Sequence, residues 1–239
     1  MISKVKGVLF DFGGTLSKQQ APLVIQKILS DEGTTCPIGL LEKALETAWE
    51  EDALNATRSE FRGFTRPNEK TEYLRLNRLI LTHVGIKHNE EHLARLIHEK
   101  WAEYASSVAR EAFEDVTPCL KKLSQINLKM GVVSNIDSTR ELQRGLSDLG
   151  ITDYFQTIVA SGEVGYAKPH PEIFRIASHD LDLPTASLVH VGDLYAVDVI
   201  GANSAGVTGI LIDREDKLPN INCPRILSLE ELPPLVAEL

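Results

Sequence analysis

The sequence predicts an α/β fold: a doubly wound parallel sheet with one all-helical insertion. Short apolar runs alternate with helical patterns from about residue 112 onward, which is typical of a parallel sheet covered by helices. A separate apolar run at residues 5–11 precedes them, and residues 17–111 show only helical periodicity. We therefore expect a Rossmann-like core formed by residues 1–16 and 112–239, with residues 17–111 as a helical insert.

The first strand is predicted at residues 5–11, VKGVLFD, because a short β-rich apolar run suits a buried strand. The insert then shows four amphipathic patterns, each with apolar residues at helical spacing. They are Leu23, Ile25, Ile28 and Leu29; Leu40, Leu41, Ala44, Leu45 and Ala48; Tyr73, Leu74, Leu76, Leu79, Ile80 and Val84; and Leu93, Leu96, Ile97, Trp101 and Tyr104. The polar segment NATRSEFRGFTRPNEK between the second and third patterns predicts a loop or a broken helix.

The remaining elements alternate between helix and strand. Strands are expected at 128–134, 155–160, 187–193 and 207–212, and helices at 120–126, 138–150, 171–181 and 196–205, with a short helix after Ser228. Ser138 with Glu141 is typical of a capping box, and Gly150 is typical of the residue that ends a helix.

Composition limits the classes of partner and compartment. The chain of 239 residues has a net charge of −9 and three widely spaced cysteines. An acidic surface does not favour nucleic acid or an anionic membrane, and no run is long and apolar enough to cross a bilayer. Three cysteines without CxxC spacing argue against a disulfide framework or a structural zinc site. We expect a cytoplasmic protein that acts on a small molecule, either as a monomer or as a homodimer.

Polar residues stand at three predicted strand ends. Asp11 ends the first run, Ser134 and Asn135 follow the second, and Asp193 follows the run LVHVG. Because parallel strands bring their carboxyl ends to one edge of the sheet, these residues are expected to meet where ligands bind in such folds.

A metal site and a nearby cation are expected at that edge. Asp198 lies five residues after Asp193, in the first turn of the next predicted helix. Together with Asp11, these carboxylates would repel one another unless a hard dication such as Mg²⁺ with oxygen ligands balanced them. An alternative for Asp198 is a helix-start residue that interacts with the helix dipole. Lys168, followed by Pro169 and Pro171, which stiffen its loop, would supply the positive group for an anionic substrate.

Four segments together resemble the haloacid dehalogenase (HAD) superfamily. They are VLFDFGGTL, VVSN, GYAKPHPEIF and VHVGDLYAVD, and they occur in this order. The resemblance covers nearly the whole chain, and the helical insert resembles a cap of the C1 type. It implies a hydrolase whose substrate choice depends on the cap.

The resemblance assigns roles residue by residue. Asp11 matches the nucleophile that becomes an aspartyl phosphate, a form of covalent catalysis. Asp11, the backbone carbonyl of Gly13, Asp193 and Asp198 match the Mg²⁺ ligands. Lys168 matches the cation that balances the nucleophile and the transferred phosphoryl group. The substrate-binding positions also include Ser134 and Asn135, which match the pair that contacts phosphate.

Gly13 departs from the family pattern. Most phosphatases of the family carry an aspartate there, which protonates the leaving oxygen, and such help is typically worth about 10²–10⁴-fold. Its absence predicts poor action on alkyl phosphates and leaves alternatives open. The chain could be a catalytically weak binding protein, a dehalogenase or a phosphonate hydrolase. Retention of Asp193 and Asp198 favours a phosphatase, and a cap lysine for phosphonate hydrolysis, Lys70 or Lys87, has no distinguishing setting.

Two hypotheses concern residues to which the resemblance assigns no role. Arg62 and Arg66, in the polar loop beside Phe61 and Phe64, could contact an anionic or ring-bearing substrate, although a solvated loop is the simpler interpretation. His170 could replace the missing acid, because its ordinary pKa suits proton transfer near neutral pH.

Overall fold

Six short segments pair into one sheet. The computed structural model describes residues 5–58 and 69–239, with side chains described at 5–52 and 73–239. Within these residues the strands are β1 (Gly7–Phe10), β2 (Lys129–Ser134), β3 (Thr157–Ala160), β4 (Leu188–Gly192), β5 (Thr208–Ile212) and β6 (Arg225–Ile226). Their order is β3-β2-β1-β4-β5-β6, and every neighbouring pair is parallel. The predicted doubly wound parallel sheet is confirmed.

The sheet is wound outward from its centre in both directions. From β1 the chain builds β2 and β3 on one side, then crosses to β4, β5 and β6 on the other. The reversal lies between β1 and β4, which is where open α/β sheets bind their ligands. The two-residue β6 was not predicted, because a pair of residues is too short to carry a period-2 pattern.

Apolar residues cover both faces of the sheet. Val8 and Phe10 of β1 belong to one buried cluster, whereas Leu9 belongs to a second cluster on the opposite face. This alternation follows from the period of two in a strand. Phe10 and Leu9 are wholly buried, and each such side chain contributes about 1.5–3 kcal/mol relative to exposure. The sheet is therefore a fixed base for the residues at its carboxyl edge.

Among the described residues from 116 onward, five α-helices lie between strands of the sheet and a sixth follows β6. They are α5 (Val116–Gln125), α6 (Thr139–Asp148), α7 (Ser161–Val164), α8 (Pro171–Asp180), α9 (Gly201–Ser204) and α10 (Leu232–Glu238). Helices α1 to α4, which precede them in the chain, are described in the next paragraph. Ser138 caps α6 by accepting a hydrogen bond from the N–H of Glu141, as expected. The helix expected at 196–205 begins instead as a π-helix, Tyr195–Ile200, and continues into α9.

The four earlier helices form a compact unit of their own. They are α1 (Ala21–Asp31), α2 (Ile38–Arg58), α3 (Glu69–Val84) and α4 (Glu90–Ala105). The chain divides into Met1–Lys18 with Arg110–Leu239 as one unit and Gln19–Ala109 as the other. The assignment of the second unit as a substrate-selecting cap stays a prediction.

The buried faces of α1 and α2 differ from the sequence expectation at two positions. Leu23 is 46% exposed and Leu40 is 40% exposed, although the helical pattern of the sequence predicts that both face inward. On α1 the buried residues Val24, Ile25 and Ile28 share one side. At 100° per residue, Leu23 points to the opposite side. Along the described helices, none is long and apolar enough to pass through a membrane.

Candidate active site

Asp11 follows β1 at the carboxyl edge of the sheet, where a tight turn holds it. The carbonyl of Phe12 accepts hydrogen bonds from the N–H groups of Leu16 and Ser17. Gly14 has φ +80°, and a Cβ there would lie 1.9 Å from Oδ2 of Asp193. Glycine is required here because it alone permits both the left-handed backbone and the close approach to that carboxylate.

Lys168 bridges two carboxylates inside the site. Its Nζ lies 2.5 Å from Oδ1 of Asp11 and 2.7 Å from Oδ1 of Asp198, and its side chain is only 2% exposed. Two carboxylates from distant parts of the chain thus share one buried ammonium. Burial alone would lower the pKa of Lys168, but Asp11 and Asp198 raise it above its usual range, so the group stays charged.

Asn135 fixes the loop that carries Lys168. Its Nδ2 donates to the carbonyl of Lys168 at 2.9 Å, and its Oδ1 accepts from the N–H of Lys168 at 2.7 Å. Both polar ends of the side-chain amide are therefore paired with backbone. The resemblance assigns Asn135 to phosphate contact, which stays a prediction, whereas the structure shows its side chain bound to the backbone of Lys168. Ser134, the last residue of β2, directly precedes Asn135 and is buried.

Three carboxylates converge beside Lys168. One oxygen each from Asp11, Asp193 and Asp198 lie within 4.8 Å of one another. Asp198, on the π-helix, accepts from Lys168 and from Nε2 of His190 at 2.9 Å, both through Oδ1, and its Oδ2 accepts from the N–H of Leu194 at 3.1 Å. Asp198 is thus tied to protein donors on both oxygens.

The cluster carries more negative charge than Lys168 balances. Burial raises the pKa of Asp11 to about 6, against the attraction of Lys168. Burial, together with the neighbouring carboxylates of Asp11 and Asp198, raises the pKa of Asp193 well above its usual range. For Asp198 the effect of burial is overcome by Lys168 and His190, which lower its pKa. Asp11 and Asp193 are therefore the carboxylates whose negative charge is least compensated by protein groups.

The donor set fits a hard divalent cation. Carboxylate oxygens are the ligands that Mg²⁺ uses in proteins. A dication beside Asp11 and Asp193 would offset the burial and the mutual repulsion that raise their pKa values. The backbone carbonyl of Gly13 lies in the same turn, and Gly14 leaves room for Asp193 to approach that turn.

Residues outside the cluster differ in how the structure places them. His170 caps α8 by accepting from the N–H of Glu172 through Nδ1 at 3.1 Å, and burial lowers its pKa. A structural role therefore occupies one of its two ring nitrogens, and its proposed acid role stays a prediction. Lys87 is exposed on the surface of the helical unit. Arg62, Arg66 and the aromatics beside them lie outside the described residues, and so does the side chain of Lys70.

His190 is the site residue that the motif analysis did not assign. It is wholly buried in the middle of β4 and contacts Asp198 directly. The sequence does contain a feature that could have identified His190, because it is a polar residue inside the apolar run LVHVG. A histidine between buried valines needs a hydrogen-bond partner.

Comparison with known proteins gives both family and fold. The family model described as haloacid dehalogenase-like hydrolase matches residues 5–206. Haloacid dehalogenase-like hydrolase domain-containing protein 3 of Danio rerio is 35% identical over 150 residues, 61% of this chain and 61% of that protein. That match spans less than two thirds of the zebrafish protein.

Two further relatives match over most of their length. Glyceraldehyde 3-phosphate phosphatase of Methanopyrus kandleri is 27% identical over 213 residues, covering 88% of this chain and 84% of that protein. The magnesium-bound structure of YfnB from Bacillus subtilis has a TM-score of 0.70 at 20% identity, covering 97% of this chain and 98% of that one. The latter similarity supports the fold alone.

Proposed function

Because the chain belongs to the haloacid dehalogenase-like hydrolase family, we propose that it is a Mg²⁺-dependent phosphatase of small phosphorylated metabolites. The observation that carries this proposal is the buried bridge from Lys168 to Asp11 and Asp198, beside the carboxylate of Asp193. This arrangement supplies a nucleophile, a fixed cation and a set of metal ligands at one sheet edge.

Asp11 is the proposed nucleophile. With Oδ1 held by Lys168, Oδ2 attacks phosphorus, the new O–P bond forms, and the bond from phosphorus to the ester oxygen breaks. The products are an aspartyl phosphate and an alkoxide or phenolate, which takes a proton from water. Water then attacks phosphorus, the bond from phosphorus to Oδ2 of Asp11 breaks, and the Asp11 carboxylate and inorganic phosphate are released, the latter carrying the oxygen of the water. Lys168 stays charged throughout and stabilises the negative charge that develops on the transferred group.

The metal would be held by Asp11, the carbonyl of Gly13 and Asp193. Asp198 would act on it directly or through water while also holding Lys168. When bound, Mg²⁺ supplies positive charge that neutralises the phosphoryl oxygens. Ser134, at the end of β2, and Asn135 are the proposed contacts for the phosphate group.

The relatives support phosphoryl chemistry over the other reactions considered. The Methanopyrus relative is a glyceraldehyde 3-phosphate phosphatase by name and aligns along most of this chain. A cluster of three carboxylates suits a metal-assisted reaction on phosphate better than a metal-free dehalogenation. A pure binding protein would have no use for the Lys168–Asp11 pair, which is costly to bury.

The test is phosphate release from p-nitrophenyl phosphate with Mg²⁺. We expect turnover in the natural chain, loss of turnover with a chelator, and loss in Asp11→Asn, which keeps the shape of the side chain but removes the nucleophile. The matched control is Asp153→Asn, the same chemical change at an exposed position outside the site; it should retain full turnover.

Two results would contradict the proposal. Equal turnover in Asp11→Asn and the natural chain would assign the activity to another group or a contaminant. Halide release from a 2-haloacid without metal, with no phosphate release, would identify a dehalogenase instead.

A further inference from the structure

His190 lies behind the carboxylate cluster, in the middle of the sheet. It is wholly buried on β4, where it is in register with Leu9 of β1 and Gly209 of β5. The edge of its ring packs against Phe174, with the ring centroids 5.0 Å apart and the planes at 77°. A ring held by two neighbouring strands and an aromatic side chain has little freedom to move.

The ring belongs to a continuous chain of contacts that ends at the nucleophile. Nε2 of His190 lies 2.9 Å from Oδ1 of Asp198, and the same oxygen lies 2.7 Å from Nζ of Lys168. Nζ in turn lies 2.5 Å from Oδ1 of Asp11. The order is therefore His190, Asp198, Lys168 and Asp11. A shift of the Asp198 carboxylate would move the ammonium relative to the attacking group.

The other ring nitrogen argues against a purely structural role. In the described part of the chain, Nδ1 of His190 is buried and has no hydrogen-bond partner. A buried polar atom without a partner destabilises a fold, and an apolar side chain of similar size would avoid that cost. The contact that accounts for a histidine here is the one from Nε2 to Asp198.

The geometry points to His190 as a positioning residue for the reaction, which holds Asp198 through Nε2–H and thereby sets the position of Lys168 beside Asp11. This inference rests on the proposed function. His190 touches no reacting atom, and it acts through Asp198. The neutral ring donates from Nε2 and leaves Nδ1 unprotonated.

The test compares His190→Met with His190→Gln in the full-length, Mg²⁺-loaded protein. Methionine is apolar and flexible enough to fill the space, but it removes the donor. The glutamine side-chain amide can place an N–H near the position of Nε2. With p-nitrophenyl phosphate we expect kcat to fall about 10–100-fold in His190→Met, as for loss of comparable supporting contacts, with KM nearly unchanged. His190→Gln should recover most of the lost kcat.

A second measurement does not depend on turnover. Long-range ¹H–¹⁵N spectra of the histidine-labelled protein report which ring nitrogen carries the proton, and the signal absent from His190→Gln identifies His190. We expect Nε2–H with unprotonated Nδ1, and a displaced Nε2–H resonance in Asp198→Asn.

The possible outcomes distinguish failure of the positioning role of His190 from failure of the proposed phosphatase activity. Natural kcat in His190→Met, equal loss in both variants, or a ring protonated at Nδ1 would each overturn the positioning role. A natural chain that shows no turnover but carries the proton on Nε2 of His190 would overturn the proposed phosphatase activity. The effect of His190 on kcat would fall with it, whereas the hydrogen bond from His190 to Asp198 would be established.

Discussion

Gly13 is the residue that most shapes the expected chemistry. It stands in the turn after Asp11, where the phosphatases that this chain resembles typically carry a second aspartate. The backbone of Gly13 lies outside the left-handed region, whereas its neighbour Gly14 has φ +80°. A side chain at Gly13 therefore meets no left-handed strain, whereas Gly14 has a left-handed backbone and a Cβ there would also meet Asp193.

Restoring an acid at this position should change substrate preference. In Gly13→Asp we expect turnover of an alkyl phosphate to rise by up to about 10²-fold relative to p-nitrophenyl phosphate, because alkoxide leaving groups need a proton and aryl ones need it less. The measurement is the ratio of kcat/KM for the two substrates. Gly13→Asn, which fills the same space without an acid, is the control. An equal ratio in both variants would show that the missing acid does not limit the reaction.

At the scale of elements, a partly buried ion pair ties the turn after β1 to other segments. Asp115, at the start of α5, accepts from Arg214 at 2.7 and 3.1 Å, from Oγ of Ser228 at 2.8 Å and from the N–H of Leu229 at 2.8 Å. Arg214 also donates to the carbonyl of Thr15 at 2.9 Å. The turn that carries Asp11 is thus linked to the loop after β5 and to the short 3₁₀ helix Leu229–Glu231 that precedes α10.

The pair of Asp115 and Arg214 predicts that the free energy of unfolding falls at acid pH. Burial would raise the pKa of Asp115, but its hydrogen bonds from Arg214, Leu229 and Ser228 lower it below 3.8. A lowered folded-state pKa gives stability that is full above pH 3.8 and is lost as pH falls further. At pH 7, Asp115→Asn should cost roughly 1.5–3 kcal/mol, because hydrogen bonds to a charged group are lost.

The measurement is urea unfolding of Asp115→Asn and the natural chain at pH 7 and at pH 3. The gap in free energy of unfolding should narrow at pH 3, because there the Asp115 carboxylate of the unfolded natural chain takes up a proton before that of the folded chain does. Asp153→Asn serves as the control, since Asp153 is exposed. A gap that stays constant between the two pH values would show that the charge of Asp115 is not what stabilises these segments.

At the scale of the whole molecule, each compact unit has its own apolar core. One buried cluster lies entirely within Gln19–Ala109, and two others lie on the two faces of the sheet. The proposed metal ligands all belong to the sheet unit, so the free energy of metal binding would add to the stability of that unit.

Mg²⁺ should therefore raise the Tm of the protein. At a concentration 100 times the dissociation constant, binding to the folded state alone stabilises by about 2.7 kcal/mol. We expect a rise in Tm with Mg²⁺ that a chelator reverses and that Asp193→Asn largely loses, as measured by calorimetry. Asp153→Asn should show the full rise. An equal rise in Asp193→Asn would place the metal elsewhere.

The sequence by itself determined the fold class and the residues that meet at the sheet edge. Apolar runs that alternate with helical patterns predict a parallel sheet, and parallel strands bring Asp11, Ser134 and Asp193 to one edge. The sequence predicts the interiors of helices and strands better than their first and last residues. The periodicity could not show that Leu23 faces water, that the helix after Asp193 begins as a π-helix, or that β6 exists.

Only the tertiary structure decided how the site residues contact one another. Lys168 and Asp11 are 157 residues apart, and their 2.5 Å contact depends on a loop that Asn135 fixes through backbone hydrogen bonds. His190 joins this network because β4 places its ring beside Asp198. Local sequence encodes strand, helix and turn preferences through short-range sterics and periodicity. Contacts between distant segments depend on how the sheet and its helices pack, which no local pattern records.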